Sequence, residues 1–170
     1  MSGHTLAELS AGRDPWDVLC DLVLADSGAA VVVEMMDEAD VRTIMSSPLV
    51  GIGSDNGPPI GMHHPRTWGC FPRLLGRYVR EEGLLTWEEA IRKGTTLTAE
   101  HFGLDGRGVL DEGMVADICA FDPERVGHSG TYHAPSVAPT GIEMVLVGGR
   151  AAVWHGAFTG ERAGAVLRRG

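Results

Sequence analysis

Apolar positions in the first half of the chain switch between two periods, and the switching predicts helix, strand, helix, strand. Residues 5–11 and 15–26 are expected as helices. In the second, Trp16, Leu19, Cys20, Val23 and Leu24 recur at helical spacing, so one face is expected on a core. Asp14 is suited to cap that helix, and Pro15 to its first position, where a missing N–H costs nothing. Residues 29–33 and 49–53 are short unbroken apolar runs, the pattern of strands buried on both faces of a parallel sheet. Between them, Asp37, Glu38, Ala39 and Asp40 start a helix expected over 40–45. This order is that of a β/α barrel or a doubly wound sheet, although two strands close neither.

A Pro/Gly-rich loop at 56–66 precedes a basic amphipathic helix expected over 68–82, carrying Arg73, Arg77 and Arg80 and stopped by Gly83. Thr86 and Glu89 have capping-box spacing for a short helix reaching Lys93, and a further turn at 98–102 ends on Gly103. From Gly106 the pattern changes to strand-like runs between glycines, at 118–121, 142–147 and 151–154. A Pro/His/Ser-rich excursion interrupts them at 123–140. The segment is expected as a small β appendage outside any barrel.

Composition narrows the class. The chain has 170 residues, 44% of them hydrophobic, enough for one globular domain. Its 23 acidic against 14 basic residues give a net charge of −9, which argues against nucleic-acid and membrane-surface partners. Cys20, Cys70 and Cys119 are far apart with no Cys-x-x-Cys pair, so they are read as reduced thiols, small core residues of a cytoplasmic protein. Met1 is followed by polar residues, and the apolar runs are too short to span a bilayer; neither export nor a membrane anchor is expected.

The chemistry centres on Asp55, which follows Leu49, Val50 and Ile52. Barrel enzymes present their functional groups at the C-terminal ends of strands, and a carboxylate there can ligate a metal and move a proton. Ser54-Asp55-Asn56-Gly57 is equally an ordinary turn sequence, and from the residues alone both readings stand. Gly51, Gly53 and Gly57 do not make a phosphate loop, because Pro58-Pro59 blocks a following helix. The arginines at 73, 77 and 80 are read as a solvated face pairing with Glu81 and Glu82 rather than as an anion site. The seven histidines contain no His-x-His; His63 and His64 are adjacent, so in extended chain they face opposite sides.

Several motifs occur together in order. They are Thr5-Leu6-Ala7-Glu8, Met36-Asp37-Glu38-Ala39-Asp40-Val41-Arg42, Gly53-Ser54-Asp55 and His64-Pro65-Arg66-Thr67-Trp68-Gly69. Phe71-Pro72-Arg73-Leu74-Leu75-Gly76-Arg77-Tyr78 and Val145-Leu146-Val147-Gly148-Gly149 follow. In these the chain resembles the C-terminal part of the N-acyl-D-amino-acid deacylases of the amidohydrolase superfamily. The resemblance implies an α/β fold: the last two strands and helices of a metal-dependent (β/α)8 barrel in residues 1–105, with 29–33 as strand seven and 49–53 as strand eight. A small β-sandwich segment would follow in 106–170.

The resemblance also implies zinc-dependent hydrolysis of a non-peptide C–N bond, the amide of an N-acyl-D-amino acid. Asp55 would be metal ligand and general acid/base, and Ser54, His64 and Arg66 would bind substrate. The family's His-x-His pair, cysteine and other metal-binding histidines precede the region that this chain resembles. The expected partners are therefore the small-molecule substrate and a missing N-terminal barrel half, or a second copy in a homodimer. The family often has a serine after the methionine at Met36; here it is Asp37. The competing readings are a non-catalytic fragment or interaction module, and half of a split amidohydrolase such as a cyclic-amide hydrolase.

Overall fold

The computed structural model describes residues 3–28, 31–33, 35–57 and 63–168. Local signals place the first helices. In α1 (Leu6–Ser10), Thr5 and Glu8 form a reciprocal capping box. In α2 (Pro15–Ala25), Asp14 accepts the Trp16 N–H at 2.8 Å. In α3 (Glu38–Ser46), the Asp37 carboxylate accepts the Ala39 N–H at 2.7 Å, so this residue is engaged as a helix cap.

The amphipathic helix expected over 68–82 is two consecutive helices, α4 (Arg66–Arg73) and a π-helix (Leu74–Glu81). Pro72 lies inside α4, where it has no N–H to donate and its ring crowds the carbonyl four residues back. The chain continues in a wider turn rather than breaking. α5 (Trp87–Gly94) opens on the capping box of Thr86 and Glu89, and α6 (Thr96–Phe102) ends on Gly103 at φ 64°, the left-handed conformation of a helix C-terminus.

The core lies under the π-helix. Leu74, Tyr78 and Val79 are buried with Leu85 and Ala90, and Val41, Met45, Ile52 and Trp87 pack against them. One polar network holds α3 to the π-helix over this core. Glu82 accepts from Arg42 at 2.9 Å and Arg77 at 2.7 Å, Glu38 pairs with Arg42, Arg73 and Arg77, and the Tyr78 hydroxyl donates to Glu38 at 3.2 Å. Arg77 thus pairs with Glu82, as read from sequence, whereas Arg73 pairs with Glu38 of α3 instead of Glu81 or Glu82. Arg80 pairs with Glu81 at 3.0 Å.

Three expectations are corrected. Residues 49–53 form no strand, and neither do 31–33; positions 29 and 30 of the earlier run lie outside the described residues. A parallel strand needs neighbours to take its N–H and C=O groups, and none lies alongside among the described residues. Leu49 is accordingly 88% exposed, with Val31, Val32 and Val33 also exposed. On α2 only Val18 is buried, while Trp16, Val23 and Leu24 of the expected core face are exposed. Cys20 and Cys119 are exposed rather than core residues, and Cys70 is half-buried; all three are free thiols.

The second half of the chain forms a four-stranded antiparallel sheet, in order β1 (Ile118–Phe121), β2 (Ile142–Val147), β3 (Arg150–Trp154) and β4 (Ala157–Phe158). β1, β2 and β3 lie where the strand-like runs predict them, β3 beginning one residue early, and β4 is not among the expected strands. Gly148 and Gly149, at φ 56° and 78°, supply the positive angles of a two-residue hairpin turn. The long β1–β2 connection packs back against the helices. It returns onto α4 and the π-helix, with Val126 fully buried and its carbonyl accepting from Arg80 at 2.5 Å.

Candidate functional site

Residues 47–57 carry the expected site, and a buried lysine fixes them without a sheet. Lys93 of α5 is 3% exposed; its ammonium donates to the carbonyls of Ser47 and, at 3.0 Å, Val50. The Lys93 carbonyl accepts the Ile52 N–H at 3.0 Å. A Cβ on Gly51 would sit 3.1 Å from the Thr98 hydroxyl, a tight contact at the close approach to α6.

Beyond this clamp the chain is stitched to the start of α4. The Cys70 thiol donates to the Gly53 carbonyl at 3.6 Å, Thr67 donates to the Asn56 side chain at 2.8 Å, and Arg66 pairs with Asp55 at 3.0 Å. Burial pushes the Cys70 thiol pKa up, against the opposing pull of Arg66, in keeping with a thiol that donates. Asp55 is in the left-handed region at φ 44°, a conformation that aspartate tolerates better than most residues. Ser54 beside it is half-buried.

His64 completes the group. Its Nδ1 accepts the backbone N–H of Arg66 at 3.0 Å, so the neutral ring carries its proton on Nε2. Burial, then the guanidiniums of Arg66 and Arg73, hold its pKa below the ordinary imidazole value, with Asp55 opposing them. The ring meets Tyr132 edge to face, centroids 5.1 Å apart. His63 accepts from the Trp68 indole N–H at 2.9 Å. Asp55, His64 and Arg66 are therefore brought together, with Ser54 adjoining them.

Sequence reasoning missed Tyr132, 68 positions from His64 in the chain. The cue was on α4 and the π-helix, where Gly69 and Gly76 are seven residues apart and so share a face. A Cβ on Gly69 would meet His128 Nδ1 at 2.0 Å, and one on Gly76 would meet the Val126 carbonyl at 2.6 Å. These contacts seat the loop that bears Tyr132.

The donor set does not fit a metal by itself. Among the described residues no three His, Cys, Asp or Glu side chains converge, and Asp55 already faces a guanidinium. A cavity of about 250 Å³ runs along Gly51, Ile52 and Gly53 against Leu97, Thr98 and Phe102. It is not lined by Asp55. No described helix is long and apolar enough to cross a membrane.

Residues 17–153 match the amidohydrolase family. A D-aminoacylase of Alcaligenes xylosoxydans xylosoxydans is 44% identical over 99% of this chain and 34% of its own length. A D-aminoacylase crystal structure superposes at a TM-score of 0.92 with 42% identity, over 99% of this chain and 35% of that one. N-acyl-D-glutamate deacylase from Bordetella bronchiseptica, solved with zinc and a phosphonate mimic of the tetrahedral intermediate, superposes at 0.83 with 40% identity, over 89% of this chain and 31% of that one. The chain spans about a third of the length of the relatives it matches.

Proposed function

Because this chain belongs to the amidohydrolase family, we propose that it supplies Asp55 to a site hydrolysing the amide bond of N-acyl-D-amino acids. The observation that carries this reading is the pairing of Asp55 with Arg66 beside His64, at the end of the segment clamped by Lys93. The 44% identity to a D-aminoacylase supports the substrate class.

Arg66 takes the carboxylate of the bound substrate, with the Nε2–H of neutral His64 and the Ser54 hydroxyl as further donors. That exchange frees Asp55 from its guanidinium. Asp55 accepts a proton as water adds to the amide carbonyl, then returns it to the leaving nitrogen as the C–N bond breaks. The products are a carboxylic acid and a D-amino acid.

Zinc of the kind in the Bordetella deacylase does not fit this donor set, since Asp55 is one carboxylate and no further donors converge on it among the described residues. Such a site would draw its other donors from elsewhere in the family fold. We assign residues 1–105 to the barrel segment. Residues 106–170 we assign to the small β-sandwich segment. The exposed apolar side chains of Trp16, Val23, Leu24, Val31, Val32 and Val33 support this assignment, because further barrel elements would cover them. A cyclic-amide hydrolase has no comparable support, and a homodimer covering this surface is the competing assembly.

The test is to produce the chain together with an amidohydrolase segment bearing the His-x-His strand and to follow hydrolysis of N-acetyl-D-methionine and its L-enantiomer. D-selective release of methionine is expected. A purified, metal-loaded assembly that hydrolyses neither enantiomer, or both equally, overturns the proposal.

A further inference from the structure

The β1–β2 connection is anchored at several points before it reaches the site. Gly127 and Thr140 bridge its two arms, His128 Nε2 lies 3.0 Å from the Val137 carbonyl, and the His128 ring occupies the space left by Gly69 and Gly130. Arg80 binds the Val126 and Pro123 carbonyls from the π-helix side. Tyr132 therefore extends from a fixed base. Its side chain serves no core: the residue is 56% exposed, and the ring contact recorded for it is with His64.

His64 is held from two directions, by the Arg66 N–H on Nδ1 and by Tyr132 against the ring. An edge-to-face contact fixes ring orientation, and here it sets where Nε2–H points. Arg66 and Arg73 both act on His64 as positive charges, opposed by the exposed Asp55 carboxylate that pairs with Arg66.

We propose that Tyr132 positions His64 for a carboxylate held on Arg66, so that the β segment contributes to substrate recognition. The inference rests on the reading of His64 and Arg66 as carboxylate binders. Tyr132 is a positioning residue whose ring, rather than its hydroxyl, does the positioning. The effect falls on binding and not on bond cleavage.

Titrating the chain with N-acetyl-D-methionine, followed by NMR through the imidazole C–H signals of His64, tests this without requiring turnover. Wild type is expected to show a saturable shift. Tyr132→Ala weakens binding about tenfold, and Tyr132→Phe, which keeps the ring, binds close to wild type. A nuclear Overhauser contact between the two rings is expected in wild type and the Phe variant, which also reports that the loop is seated. No His64 shift in wild type, no ring contact, equal affinity in the Ala variant, or a Phe variant as weak as Ala each overturns the inference. Failure of the deacylase reading registers separately, as a carboxylate that binds but is not turned over by the assembled protein.

Discussion

Asp55 Oδ2 lies 3.0 Å from an Arg66 guanidinium nitrogen, in a pair whose side chains are 86% and 42% exposed. Exposed pairs contribute about 0–1 kcal/mol because water and salt screen them. Arg66→Met should therefore lower the unfolding free energy in urea by less than about 1 kcal/mol. Binding of N-acetyl-D-methionine should drop about tenfold or more, since a charge-assisted contact to the carboxylate is lost. A large stability loss with binding unchanged would make the pair structural.

Acid should loosen the joint between α3 and the π-helix. Hydrogen bonds from Arg42, then Arg77, hold the Glu82 carboxyl at a pKa of about 2 against an ordinary 4.5. A depressed carboxylate stabilises the fold above its unfolded pKa, and that contribution is lost as pH falls from 4.5 towards 2. Thermal unfolding against pH should show Glu82→Gln less stable than wild type at neutrality, with the two converging near the bottom of that window.

The seat of the Tyr132 loop is tested at its glycines. Gly69→Ala places a methyl 2.0 Å from His128 Nδ1, and Gly76→Ala places one 2.6 Å from the Val126 carbonyl. Each should destabilise by about 1–3 kcal/mol through overpacking. His128→Ala should recover part of the Gly69→Ala loss in a double-mutant cycle but none of the Gly76→Ala loss, whose obstacle is backbone.

Lys93→Met keeps much of the chain length and removes the donor to Ser47 and Val50. Losing hydrogen bonds from a charged donor to these part-buried carbonyls costs about 1.5–3 kcal/mol. Amide exchange at Ile52, whose N–H bonds to the Lys93 carbonyl, should quicken selectively. Exchange unchanged there would mean that the clamp does not order the Asp55 segment.

What the sequence made legible was local. Asp14, Thr86 with Glu89, and Gly103 cap the helices they were expected to cap, because a cap is decided within three or four residues. The β1–β2–β3 strands read correctly because hairpin glycines such as Gly148 and Gly149 mark their ends. Residues 49–53 carry strand-like composition, but a parallel strand forms only against distant chain, so composition could not decide the outcome. Asp55, His64 and Arg66 were found from their motifs, and their convergence is seen in the structure. Tyr132 left no periodic trace: its position follows from two glycines that admit His128 and Val126.

The central claim is that Asp55 carries the proton in amide hydrolysis. It is tested most directly by comparing wild type with Asp55→Asn in the assembled, metal-loaded amidohydrolase, measuring D-methionine released from N-acetyl-D-methionine while circular dichroism monitors the fold. The account predicts an unchanged spectrum and turnover lower by about a hundredfold or more. An Asn variant that keeps the wild-type rate would contradict it.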